Sequence, residues 1–167
     1  MRTGERTAAG LGILTLGLVA ANVLRPAAPV TVARLPAVAV YTAAGQAVRL
    51  SALPRRDGQA WVVDFWAPWC PACRLELPDL ERLARAGAQV ALVSQDPQAF
   101  AYLTAWRDTR GLALYDRNGR ASAALLVETL PTTLYVSPRG TVRVRTVGPL
   151  PYAVMHRYWV EAGGHPA

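Results

Sequence analysis

Residues Trp61-Val62-Val63-Asp64-Phe65-Trp66-Ala67-Pro68-Trp69-Cys70-Pro71-Ala72-Cys73 carry a β-prone run straight into a pair of cysteines. Trp61 to Trp66 are bulky and almost all apolar, which predicts a buried central strand. From Pro71 to Ala86 the pattern turns helical, with Leu75, Leu80 and Leu83 apolar against Arg74, Glu81, Arg82 and Arg85 polar. Pro78 falls inside this helix and predicts a kink, and Gly87 ends it. The CxxC therefore sits where a strand hands over to a helix. That places Cys70 at the helix N-terminus, where free backbone N–H groups and the helix dipole stabilise a thiolate. Cys73 lies one turn on, more buried, within reach of a mixed disulfide formed on Cys70. Pro71 takes the first helical position without losing a hydrogen bond, and Trp69 supplies an apolar wall beside the sulfur. A half zinc site, a Cu(I) site or two unrelated core thiols would use the same two residues. No second CxxC and no neighbouring His completes a zinc site, so placement and spacing favour redox chemistry without a metal or other cofactor.

These are the only 2 cysteines among 167 residues, too few for a disulfide-stapled scaffold. With 52% apolar residues and 5 Trp the chain can bury enough surface to fold, and its length suits one domain with a short appendage. Lys+Arg total 18 against 11 Asp+Glu, a net charge of +7, and every basic residue is Arg. The Arg residues are dispersed, with Arg55-Arg56 the nearest thing to a run. This reads as a solvated basic surface, and no nucleic-acid partner is expected. The lack of Lys removes Schiff-base chemistry and any Lys that would tune a cysteine.

Residues 1–25 read as a signal anchor, 26–34 as a linker and 35–163 as a single domain. Ala8 to Leu24 is a run of 17 uncharged residues between Arg2 and Arg6 on one side and Arg25-Pro26 on the other. As a helix it would rise about 25 Å, the short end of what crosses a ~30 Å hydrocarbon layer. The positive amino end favours an N-in, C-out orientation. The expectation is a single-pass transmembrane anchor in the inner membrane, with a cleaved signal peptide as the alternative. Both export the remainder to an oxidising, periplasmic or otherwise extracytoplasmic compartment. Pro26-Ala27-Ala28-Pro29 makes a short, stiff linker.

The rest of the pattern alternates strands and helices. Val38–Tyr41 and Ala47–Leu50 predict a hairpin across Ala44-Gly45-Gln46. Val90–Val93 is the next strand. Asp96-Pro97 predicts a helix start, with Phe100, Leu103 and Trp106 sharing a face up to Gly111. Leu112–Tyr115 reads as a strand, Asn118-Gly119 as a turn and Ala121–Val127 as a short helix. Thr132–Ser137 and Thr141–Val147 read as strands around Pro138-Arg139-Gly140, the second with Val142 and Val144 inward and Arg143 and Arg145 outward. Tyr152, Met155 and Trp159 line one face of a final helix, which Gly163-Gly164 ends.

The run Val63 to Cys73 closely resembles the active-site stretch of the thioredoxin superfamily. Pro78 stands where that family kinks its helix, and Leu130-Pro131-Thr132-Thr133 resembles its cis-proline loop. The resemblance covers roughly residues 35 to 162. It implies an α/β thioredoxin-like fold, a central mixed sheet flanked by helices. The 61 residues from Cys70 to Pro131 leave room for an extra strand–helix insertion around Leu112–Val127. That insertion fits the membrane-anchored branch of TlpA, ResA and the cytochrome c maturation thioredoxins. Cys-Pro-Ala-Cys-Arg-Leu-Glu-Leu-Pro, Thr146-Val147-Gly148 and Trp159 look most like the suppressor-of-copper-sensitivity protein D subgroup. The CxxC departs from thioredoxin's Trp-Cys-Gly-Pro-Cys: Ala72, before the second cysteine, replaces both that Pro and the His of strongly oxidising members.

The resemblance implies that Cys70 and Cys73 form a redox-active disulfide, that Pro131 is cis, and that the Leu130 backbone receives an extended substrate. It aligns Asp64 with a buried acid that assists proton transfer at the second cysteine. An acid in so apolar a run is expensive unless it has a function. Glu128 and His156 read as solvated surface residues, His165 as remote from the cysteines, and Arg74 as a solvent-facing residue that helps to dock a partner. The function expected is an exported thiol–disulfide oxidoreductase reducing substrate disulfides, recharged by a membrane electron donor such as a DsbD-like thiol transporter. A disulfide oxidase running the same pair in reverse, and a Cu(I) metallochaperone, are the alternatives.

Overall fold

A computed structural model describes residues 34–53, 58–103 and 111–166. The expected anchor, the linker up to residue 33 and Trp106 lie outside them. Among the described residues no helix is long and apolar enough to cross a membrane. The strands are β1 (Ala39–Tyr41), β2 (Ala47–Arg49), β3 (Trp61–Phe65), β4 (Gln89–Ser94), β5 (Gly111–Tyr115), β6 (Thr132–Val136) and β7 (Val142–Val147). They form one mixed sheet in the order β2-β1-β5-β4-β3-β6-β7. The helices are α1 (Pro71–Arg85), α2 (Ala99–Tyr102), α3 (Arg120–Ala124) and α4 (Tyr152–Glu161).

The β-prone run from Trp61 is central because it is paired on both sides, parallel to β4 and antiparallel to β6, and all five of its residues are buried. Such a strand must be apolar on both faces. On one face Val62 and Trp66 meet Leu77, Leu80 and Leu83 of α1 and Met155 and Trp159 of α4. On the other, Val63 and Phe65 pack with Leu50, Leu114, Leu125 and Leu134. The strand–helix unit expected near 112–127 is β5, parallel to β4, followed by α3.

Three details depart from the sequence reading. Helix α1 buries Cys73, Glu76, Leu77, Leu80, Leu83 and Ala84, while Leu75 is 75% exposed. The inward stripe thus follows the cysteine rather than Leu75. Helix α2 starts after Gln98, not at Asp96: the Asp96 carboxylate accepts from the Gln98 N–H in a turn before it. Along β7 the pairing slips by a bulge between Tyr135 and Val136. Val142 and Val144 consequently join opposite faces of the sheet instead of sharing one. Arg145 does not extend freely outward. It donates to the carbonyls of Leu125 (2.5 Å) and Leu126 (2.6 Å) past the end of α3.

The chain turns back over Trp159 at Gly164, whose N–H bonds the Trp159 carbonyl. A Cβ on Gly164 would overlap the buried indole. Gly164→Ala is expected to cost about 1–3 kcal/mol through overpacking, read as a lower denaturant midpoint at unchanged slope. An unchanged midpoint would show that the indole has room to move.

Candidate active site

The site forms at the C-terminal end of β3. Trp66 continues the strand by donating to the Val93 carbonyl. Ala67 and Pro68 then turn the chain, closed by a Cys70 N–H bond to the Ala67 carbonyl. Cys70 is the N-cap of α1, extended at φ −83 and ψ 111, with Pro71 at the first helical position. The Cys73 N–H donates to Cys70 Sγ at 3.2 Å. One of the free N–H groups of the first turn is thus spent on the sulfur itself, the local stabilisation a thiolate needs.

Cys70 and Cys73 are joined as a disulfide with Cα atoms 5.3 Å apart, a separation that one helical turn supplies without distortion. Both are buried. Only Cys70 lines a cleft of about 810 Å³, together with Trp69, Pro71, Gln95, Val127 and Leu130. Trp69 stands 69% exposed on its rim.

The opposite wall comes from the strand beside β3. Thr132 pairs with Phe65 and Thr133 with Asp64, so Pro131 precedes the strand at the level of the CxxC. The Leu130–Pro131 peptide is cis, and the Pro131 carbonyl accepts from the Gly148 N–H at 2.9 Å. Sheet register therefore brings Leu130 and Pro131 to the end of the molecule that holds Trp69, Cys70 and Pro71.

Two acids are buried on the α1 side of the sheet. Asp64 points to the α1 face of the sheet, 1% exposed, and accepts from the Thr133 hydroxyl at 3.0 Å. Glu76, one turn beyond Cys73, is also 1% exposed. Burial pushes the Asp64 pKa up to about 7, against the pull of the Thr133 bond. Burial, and next the charge of Asp64, push Glu76 up to about 8, with Asp79 adding less. The Leu150 backbone and the Thr133 hydroxyl ease that shift, but neither meets hydrogen-bond geometry with Glu76. Two like charges in a dry site resist ionising together. Such a pair stays partly protonated at neutral pH and can give or take a proton there.

Glu76 is the residue the sequence reading passed over. Its signal was the spacing Cys73-x-x-Glu76, which puts a carboxylate on the same helix face as a cysteine. Assigning Leu75 to the inward face turned Glu76 outward. Among the other candidates, Glu128 is exposed but lines the cleft. Arg74 is exposed. His156 is not a free surface residue: its ring packs between Tyr152 and Trp159. His165 is tied to Gln59, whose amide bonds the His165 ring and backbone.

Residues 31–145 match the family model described as AhpC/TSA. The chain belongs to that family. Among its relatives is the thiol:disulfide interchange protein DsbE of Allochromatium vinosum, 35% identical over 108 residues, 62% of this chain and 58% of that protein. The DsbE homologue of Paracoccus denitrificans is 30% identical over 117 residues, 69% of this chain and 65% of that protein. The match thus spans between half and two-thirds of these curated relatives. The thio-disulfide isomerase of Thermus thermophilus superposes with a TM-score of 0.67 at 24% identity, over 85% of this chain and 99% of that one. MTB DsbF, solved in mixed oxidised and reduced forms, gives 0.66 at 24% identity over 79% and 99%. At that identity the likeness concerns the fold, which is thioredoxin-like. These relatives carry thiol:disulfide interchange names, and this chain holds a cysteine pair at disulfide distance.

Proposed function

We propose that this chain reduces disulfides in exported proteins, with Cys70 as the attacking thiolate and Cys73 as the resolving thiol. The observation that carries the reading is the asymmetry of the pair: Cys70 caps the helix and lines the cleft, while Cys73 is buried on the helix face that also buries Glu76, whose carboxyl, like that of Asp64, is raised. The Cys70 thiolate attacks a substrate disulfide and displaces one sulfur as thiolate. Cys73 gives its proton to the carboxyl pair and attacks the mixed disulfide, releasing the second substrate thiolate. The enzyme is left as the Cys70–Cys73 disulfide, two electrons poorer. An external dithiol must return those electrons, and a DsbD-like transporter in the inner membrane fits that need. Trp69, Pro71, Leu130 and Pro131 frame the substrate, whose extended chain lies along the Leu130 backbone. In this reading residues 1–25 anchor the domain on the periplasmic side, as in the TlpA and ResA branch and its suppressor-of-copper-sensitivity relatives.

The direction follows from what stabilises the reduced form. The cap offers helix N–H groups, but the chain has no Lys, and an ionised carboxylate on the helix face that buries Cys73 opposes a thiolate. A potential nearer thioredoxin, about −270 mV, than DsbA, about −120 mV, is expected. Redox titration against glutathione tests it. A midpoint more positive than roughly −150 mV would make the protein an oxidase and reverse the electron flow.

The roles of the cysteines have their own check. With reduced protein and limiting alkylating reagent at neutral pH, Cys70 is expected to be labelled before Cys73, because it alone opens to the cleft. Equal labelling, or Cys73 first, would overturn the assignment.

A further inference from the structure

Past α3 the chain turns sharply before it lines the cleft. Leu125 caps the end of the helix at φ −103, and Leu126 follows at a φ of 53. Among the described residues Leu126 is the one non-glycine residue at positive φ. There a leucine Cβ crowds the following carbonyl, so the conformation persists only where the surroundings impose it. The next four residues, Val127 to Leu130, line the cleft with Cys70.

Arg145 supplies what imposes it. In the β6–β7 register it pairs with Leu134, and its half-buried side chain lies on the face where Leu134 and Leu125 pack. One amino group of the guanidinium, Nη1, donates to the Leu125 carbonyl at 2.5 Å, and the other, Nη2, to the Leu126 carbonyl at 2.6 Å. The helix has ended, so neither oxygen has a following helical turn to accept from. The two oxygens belong to the peptide planes on either side of the Leu126 Cα. Holding both planes holds the two dihedrals between them. A planar fork does this in one contact, which a point charge does not.

We propose that Arg145 is a positioning residue for substrate binding: by fixing the turn at Leu126 it sets the opening between the Val127–Leu130 wall and the side of the cleft formed by Trp69, Cys70 and Pro71. The inference rests on the reading above, in which a protein disulfide enters the cleft as an extended chain. Arg145 and Leu126 are not among the residues lining the cleft, so the effect passes through the wall. The far end of the wall has its own fastening, the Gly148 N–H on the Pro131 carbonyl. Without the fork Leu126 relaxes toward negative φ and the near end of the wall moves, while the Pro131 end stays.

The test compares two oxidants of the reduced protein. One is a peptide whose disulfide lies within a segment long enough to run along the wall, and the other is a small aromatic disulfide that does not span the cleft. Formation of the Cys70–Cys73 disulfide is followed by acid quenching and thiol labelling over a range of peptide concentrations. In Arg145→Gln the half-saturating peptide concentration is expected to rise about tenfold, and the peptide's rate relative to the small reagent's to fall by the same factor. The loss falls on binding because the wall meets the chain alike in the complex and in the transition state. A residue that matters only for folding would slow both oxidants equally and leave the ratio unmoved. Leu126→Asn added to Arg145→Gln should bring the ratio back to within about threefold of the parent, since asparagine adopts that φ more readily. An unchanged ratio in Arg145→Gln, or no recovery in the double variant, would overturn the inference. Should Arg145→Gln not fold, Arg145→Lys takes its place: an ammonium does not fork two carbonyls, so the ratio should fall about threefold. A ratio equal to the parent's would then overturn the inference. A parent that reacts with the small reagent but leaves the peptide disulfide intact would instead overturn the reduction reading, and the inference with it.

Discussion

Cys73→Ser is expected to stop the reaction with the substrate still bonded to Cys70, lowering turnover of a protein disulfide on the order of 10³-fold or more. The reason is positional. Cys73 shares the first turn of α1 with Cys70, and the sequence holds no third cysteine to replace it. Serine is close in size but is not a nucleophile toward sulfur at neutral pH, so the mixed disulfide has no internal exit. Non-reducing electrophoresis of extracts should show adducts that collapse with dithiothreitol. Cys70→Ser should show none. Turnover within tenfold of the parent would mean that the second thiol comes from elsewhere. The adducts also name the substrate, whether an apocytochrome, a copper protein or another exported thiol protein.

The second large effect is on stability. For Asp64 and Glu76 the folded pKa lies above the unfolded one. Below about pH 4 both states are protonated and the acids cost little. Between that range and about pH 8 the folded chain keeps protons that the unfolded chain has released, so stability falls as pH rises. The full cost is present above about pH 8. Each unit of raised pKa corresponds to about 1.4 kcal/mol, so a progressive loss of stability across the window is expected for the oxidised protein. Glu76→Gln removes one member and relieves the other of a neighbouring charge. It should be more stable than the parent at pH 8 and differ from it by almost nothing at pH 4. Denaturant midpoints at the two pH values measure this. Parallel profiles for the parent and Glu76→Gln would show that the carboxyls are not held neutral by burial.

The sheet was readable because its strands are locally extreme. Trp61 to Phe65 and Gln89 to Ser94 are buried on both faces, and only a paired, covered strand uses so many bulky residues in a row. The disulfide end was readable because Cys-Pro-Ala-Cys follows such a strand with Pro at the first helical position, where it costs no hydrogen bond. What the sequence hid were facings and registers. A 15-residue helix with Leu at 75, 77, 80 and 83 admits more than one inward stripe, and only packing against β3 and α4 selects the one containing Glu76. The bulge in β7 moves Val142 across the sheet without changing the alternation of apolar and basic residues.

The wall of the cleft from Val127 to Leu130 is gripped at both ends by one edge strand. At one end Arg145 of β7 grips the carbonyls of Leu125 and Leu126, and at the other Gly148, one residue past β7, grips the carbonyl of Pro131. Both grips fall on main-chain oxygens, which every amino acid carries. Side chains at Val127, Glu128 and Thr129 are therefore free to vary without moving the wall, whereas adding or removing a residue between the two grips would displace it. Leu126 is restricted differently: it holds a φ of 53 that glycine or asparagine would adopt more easily and a β-branched residue less so. Evolution, or a designer, can exchange what this rim recognises while leaving the sulfur chemistry beside it intact, provided the count of residues is kept.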